Sequence, residues 1–398
     1  MHMDRRTFLR LAAAAGAGSL LPRTLRAQTR QTRLSVPHQM ARFPEKTDLI
    51  LLTDRPPQLE TPIRYFRHDL TPNEAFFVRW HHSAVPTSVD LSTFRLSVGG
   101  HVDRPMNWSV DQLRNQFEPV SVIAVGQCAG NSRSLFQPRV TGGQWGNGAV
   151  GNAKWTGVRL RELLAKAGAK AGAVDISFAG LDEAPLPDTP KFVKSLPFDG
   201  ANEGEVMVAY AMNDAALPML NGFPLRLIVP GWYGTYWVKS LNQINVLAEK
   251  FHGFWMDKAY RIPNNPNAQE SPTELATDTI PINRHSVRSL IVRPEAGESL
   301  HAGKAYEIQG VAFDAGEGIR KVEVSTDAGK SWTDAKLDAE LGRYSWRRWR
   351  LNWTPAQRGD VRILSRATNA KGETQTIAQW NRSGYQRNVI EHVDVTVA

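Results

Sequence analysis

Apolar and polar positions along the chain fall into two textures that meet near residues 263–285. Ahead of that point the periods are mixed. "EAFFVRWHHS" (Glu74–Ser83) and "FRLSVGGHV" (Phe94–Val102) read as strands, and "PVSVIAVGQ" (Pro119–Gln127) is a β-branched strand leading into a loop at Cys128. "WTGVRLRELLAKAG" predicts a helix over 155–168, capped by Thr156, with Val158, Leu160, Leu163 and Leu164 on its apolar face and Gly168 as its stop. "FPLRLIVPG" (Phe223–Gly231) is an apolar strand closed by Pro-Gly and followed by the glycine- and aromatic-rich "WYGTYWVKS". Residues 28–62 are polar and dotted with prolines, the pattern of an extended arm over a domain. "IPNNPNAQESPTELATDTIPINRH" has the Pro, Asn and Thr content of a linker. Beyond it short strands recur between turns, with a hairpin expected around Asp327–Lys330 and no helical segment. The expectation is an α+β fold: a mixed domain over 28–280, then an immunoglobulin-like β-sandwich over 281–398. With no cysteine pair, the sandwich is not of the disulfide-linked antibody kind.

The first 27 residues change the picture of where the chain works. Arg5 and Arg6 precede a weakly apolar, Ala/Gly-rich run from Leu9 to Leu21, and Leu25-Arg26-Ala27 supplies a small-residue cleavage site. This is the pattern of a twin-arginine export signal, and it implies a periplasmic protein. The run is shorter than the ~20 residues of a spanning helix, and no other stretch is long and apolar enough for one. Five arginines and one aspartate lie in this segment, so of the formal charge of +9 only +5 belongs to the rest of the chain. That modest excess, without any Lys/Arg run interleaved with aromatics, excludes a nucleic-acid partner and fits a small anion or an acidic partner.

Cys128, in "VGQCAGNSRS", is the only cysteine in 398 residues. In an oxidising compartment it cannot pair within the chain, so it is either buried and inert or occupied. A structural cysteine, a nucleophile with a histidine base and a thiolate metal ligand all fit that much. Blue copper is disfavoured because the next histidine is His252, and zinc clusters or covalent haem need more cysteines. A metal held here would draw its other ligands from a non-protein group. Arg79 and His81 alternate along one segment, Arg133 follows the thiol by five residues, and Arg226 and Lys239 flank the "GWYGTYW" loop. Singly each reads as a surface charge; as a set with glycine loops they suit a bulky, phosphate-bearing cofactor.

These segments, with "FAGLD", "NGFPLRLIVPGWYGTYWVKSL" and "WNRSGYQRN", resemble the sulfite oxidase family of molybdopterin enzymes from about residue 60 onward, and most nearly its bacterial periplasmic sulfite dehydrogenases. The resemblance implies the sulfite oxidase fold, with the sandwich as a homodimerisation domain. It implies Cys128 as the one protein thiolate on molybdenum, and Arg79, His81, Asp182, Arg226 and Lys239 around the molybdopterin. Asn221 stands where animal members have a histidine. Tyr260 matches the active-site tyrosine, with Tyr233 and Tyr236 as weaker candidates. The implied reaction oxidises sulfite to sulfate and passes electrons to an external periplasmic c-type cytochrome, the chain having no haem motif. The alternative is a sulfane dehydrogenase-type molybdenum subunit of thiosulfate oxidation. In animal and plant members an arginine after W-N-x reaches the sulfite pocket; Ser383 takes its place here, and Arg387 rather than Arg382 is expected to supply that charge.

Overall fold

The computed structural model describes residues 39–398; the signal-like segment lies outside the described residues. The arm ahead of residue 62 is not simply draped. Met40–Ala41, Leu49–Thr53 and Gln58–Glu60 form an antiparallel sheet whose fourth strand is Val78–Arg79. Alternate positions of these short strands bury Leu49, Leu59, Val78 and Trp80 in a small core of their own. Only Val78–Arg79 of the segment read as a strand over 74–83 is extended in a sheet, because Asn73–Ala75 turns as a 3₁₀ helix after Pro72.

Two five-stranded sheets follow, and of their strands only Leu96–Gly100, Val120–Gln127 and Arg226–Ile228 fall in segments read as strands. One has the order Val193–Pro197, Asp175–Gly180, Leu241–Leu247, Leu96–Gly100, Met106–Trp108, antiparallel except where Leu241–Leu247 runs beside Leu96–Gly100. The other joins Ala215–Ala216, Met207–Met212, Val150–Arg159 and Val120–Gln127, with Arg226–Ile228 paired to Met207–Met212. The helix expected over 155–168 is corrected here. Trp155–Arg159 belongs to the strand Val150–Arg159, the helix spans Leu160–Ala167, and Thr156 bonds Ser121 Oγ across the ladder at 2.8 Å instead of capping. Tertiary pairing on both sides overrode a local helical pattern. Leu160, Leu163 and Leu164 do bury the helix face, and Gly168 closes it with a positive φ of 70°.

The 263–285 stretch is more ordered than a linker: Arg261–Pro263 pairs with Thr279–Pro281. Beyond it, sheets of four and five strands face each other around Ile308, Val322, Trp349, Ile363 and Val395. Trp346, Leu290 and Phe313 of this sandwich share a buried cluster with Phe66, Val125 and Val150, so the sandwich packs on the very strand that leads to Cys128. No helix among the described residues is long and apolar enough to cross a membrane.

Candidate active site

The strand Val120–Gln127 delivers Cys128 at its end, buried at 8% exposure. The loop that follows is braced by its own backbone and by the 145–149 segment. Cys128 N donates to Ala149 O at 2.9 Å, Ala149 N donates to Asn131 Oδ1 at 2.9 Å, and Ser132 N donates to Gly146 O. Gly234 lies against the start of the loop: a Cβ there would stand 3.1 Å from Gln127 O. The bare backbone leaves the sulfur a close approach from that side.

The thiol opens into a cleft it shares with Arg79, His81, Asn221, Arg226, Lys239 and Tyr260, all of them sequence candidates, and with Phe77, Leu220 and Thr235. Asp182 is buried, which raises its pKa, and Lys239 is the group that most opposes that rise. Arg226 rests on the rings of Trp155 and Trp237, 5.2 and 5.8 Å away, and burial lowers its pKa to about 9. Lys239 lies over Trp80 at 4.6 Å, and burial together with Arg226 lowers its pKa to about 7. His81 Nε2 and Tyr260 Oη are 2.6 Å apart. Burial, with Arg79 and Lys239 nearby, holds the imidazole well below its usual value and so neutral, while burial holds the Tyr260 phenol protonated. The Tyr260 ring stacks on Tyr385 at 5.2 Å, nearly parallel, and its φ of 59° turns it inward from the end of a short helical turn.

Arg387, expected in the substrate pocket, is elsewhere. Its Nε donates to Glu391 Oε1 at 3.2 Å and its guanidinium covers Phe136, away from the cleft lining. The chain past Gly384 turns back toward the sandwich strand Glu391–Val397, where Glu391 offers a buried carboxylate. Arg382 is also committed, to Glu270. Arg133 is the cation of this region that the sequence noted without assigning. It is 7% exposed, donates to Gly143 O and Ser383 O, and lies over Tyr385 at 4.9 Å. Gly130, Gly142 and Gly384 make room for it, since a Cβ at any of them would fall within 2.8 Å of its side chain. Lys46 and Lys194 were missed altogether: neither sits in a motif, and only the fold brings them beside Asn221 and Tyr260. Tyr233 and Tyr236 are buried, and Tyr236 Oη is spent on Ile282 O.

This donor set fits a large anionic cofactor with a soft metal. Arg79 Nη1 and Arg226 Nε are buried without a protein partner, and the carboxylate of Asp182 is buried within reach of the Lys239 charge. Buried donors left open are costly unless a ligand fills them, and a thiolate is a soft metal ligand. Among the described residues no group of three or more His, Cys, Asp and Glu could hold a metal ion without such a cofactor.

Comparison with known proteins agrees with that chemistry. Residues 82–255 match the oxidoreductase molybdopterin binding domain and residues 279–398 the Mo-co oxidoreductase dimerisation domain. The chain is 33% identical to mitochondrial sulfite oxidase of Macaca fascicularis over 98% of its own length and 72% of that protein. It is 34% identical to the Homo sapiens protein over 86% of itself and 64% of that protein, so it spans about two thirds of these relatives. The sulfane dehydrogenase SoxCD of Paracoccus pantotrophus superposes with a TM-score of 0.74 over 97% of this chain and 96% of that one, at 22% identity, which establishes the shared fold.

Proposed function

The chain belongs to the sulfite oxidase family of molybdopterin enzymes, and we propose that it oxidises sulfite to sulfate and passes the electrons to a separate c-type cytochrome. The observation that carries the reading is the single thiol sharing one cleft with buried cations whose donors are unfilled. When bound, the molybdenum centre of the pterin supplies two-electron oxygen-atom transfer. Cys128 would hold the metal; Arg226, Lys239 and Asn221 would hold the anionic end of the pterin, with Asp182 setting the charge beside Lys239.

The protein's own groups then act on the substrate. Arg79 has a buried Nη1 free for an anion, and such charge-assisted contacts are worth about 1.5–3 kcal/mol each. In the tautomer of neutral His81 that carries its proton on Nε2, that N–H donates to Tyr260 Oη and leaves the phenol O–H as a donor to an oxyanion. Arg79 and Arg133 both oppose the rise of the Tyr260 pKa that burial causes, and Lys194 Nζ lies 5.2 Å from the ring. In this reading Arg133 takes the charge role expected of Arg387. Export through the twin-arginine segment to the periplasm and homodimerisation through the sandwich complete the proposal.

The purified protein is expected to contain about one molybdenum per chain and to reduce cytochrome c only when free sulfite is added. Molybdenum-free protein from cells able to make the cofactor would sink the reading. A loaded protein inert toward sulfite but active on protein-bound sulfane sulfur would move it to the thiosulfate-oxidising alternative.

A further inference from the structure

We propose that Lys46, on the N-terminal arm, is a positioning residue of the cofactor pocket: it fixes the Asn221 amide so that a donor faces the cofactor's anionic group, and it adds a positive charge behind that donor. The inference rests on the molybdopterin reading above.

Lys46 is 5% exposed, and its Nζ donates to three oxygens: Asn73 O at 2.7 Å, Phe76 O at 3.1 Å and Asn221 Oδ1. All three acceptors are neutral. Asn221 Nδ2 donates to Phe77 O at 3.0 Å, which uses one of its two N–H groups. With Oδ1 taken by Lys46, the side chain cannot flip, and the second N–H is the polar group it has left for the cleft it lines. The backbone oxygen of Asn221 accepts from Arg226 Nη1 at 3.1 Å, so Lys46, Asn221 and Arg226 form one connected row. The two phenylalanines whose carbonyls enter this network lie just ahead of Arg79 in the chain.

An ammonium buried against neutral oxygens is expensive, and a clamp between the arm and the 73–77 turn could be made by a neutral amide. Burial and the neighbouring Arg226 lower the Lys46 pKa to about 7, with Glu45 and Glu74 acting weakly the other way. A dianion in the cleft reverses that penalty by restoring an attractive partner to the charge. Lys46 precedes the matched molybdopterin binding domain, as do Phe77, Arg79 and His81 of the cleft, so segments ahead of that range contribute to the pocket.

Two variants made in a host that synthesises the cofactor test this. Lys46→Gln keeps a donor for the carbonyls and removes the charge; Lys46→Met removes both. The readouts are molybdenum and released phosphopterin per folded chain, the rate of cofactor loss in dilute urea, and the melting temperature of the cofactor-free protein. We expect cofactor-free Lys46→Gln to melt at or above the parent's temperature, yet to lose cofactor about tenfold faster or more. Equal retention in a folded Lys46→Gln overturns the proposal, as does failure of both variants to fold without cofactor, which would make the lysine a structural clamp. A parent protein free of molybdenum would instead overturn the functional reading itself.

Discussion

At the scale of single residues, chemistry was the most legible part of the chain. A lone thiol in a chain of this length calls for an explanation, and Arg79, His81, Arg226 and Lys239 do meet around it. What could not be read was which arginine a turn aims inward. Arg387 is drawn off by the Glu391 carboxylate, and Arg133 is held by three glycines spread over 250 residues. Cys128→Ser is expected to give a folded protein with sulfite turnover reduced at least a hundredfold, since a hard hydroxyl replaces a soft ligand; steady-state rates near the parent's would remove the thiol from the chemistry. Arg387→Ala should leave the Michaelis constant for sulfite within about twofold and instead cost stability, on the order of 1–3 kcal/mol, because Glu391 loses one of its cations. A large rise in that constant with unchanged stability would return Arg387 to the substrate. Three buried lysines give a pH signature: Lys46, Lys194 and Lys239 each titrate near 7 in the folded protein but above 10 when unfolded. Between those values the unfolded chain holds more protons, so the cofactor-free protein should gain stability as pH rises from 7 to 9, by on the order of 1 kcal/mol per pH unit for each lysine. Urea titrations along that range check it, and a midpoint that does not rise would mean that the lysines stay charged.

Among the elements, strands with β-branched runs were readable and their boundaries were not. The sharpest error, the helix begun too early at Trp155, came from extending a good amphipathic pattern backwards through Thr156-Gly157-Val158. Gly157 was the available clue. It lies where the central strand passes Met207–Met212, and a Cβ there would stand 2.0 Å from Val208 O. A glycine forced by so close an approach belongs to a ladder rather than to a helix. Gly157→Ala should therefore destabilise by about 1–3 kcal/mol or more through overpacking, measured by chemical denaturation; a neutral change would show that the two strands can part without cost. The arm over residues 40–60 was misjudged for a related reason: two- to five-residue strands carry too few positions for a period to declare itself, and they acquire meaning only through Val78–Arg79.

For the molecule as a whole, the packing of the C-terminal sheets against the Cys128 loop was invisible in sequence. Arg288, wholly buried on a sandwich strand, donates to Ser132 Oγ in the cysteine loop at 3.1 Å and to Glu391 at 2.8 Å. Ser383 O receives Arg133, and Gln386 N donates to Ala129 O at 3.2 Å. The loop that would carry the metal is thus finished by residues 383–391, which leave the ribosome after every other segment that touches it. Its bracing is therefore set in time as well as in space: the 145–149 segment is made soon after the thiol, and the contacts from 383–391 come last. A chain cut ahead of the sandwich would keep the thiol and its 145–149 brace but lose the contacts that Arg288 and Ser383 make with Ser132 and Arg133.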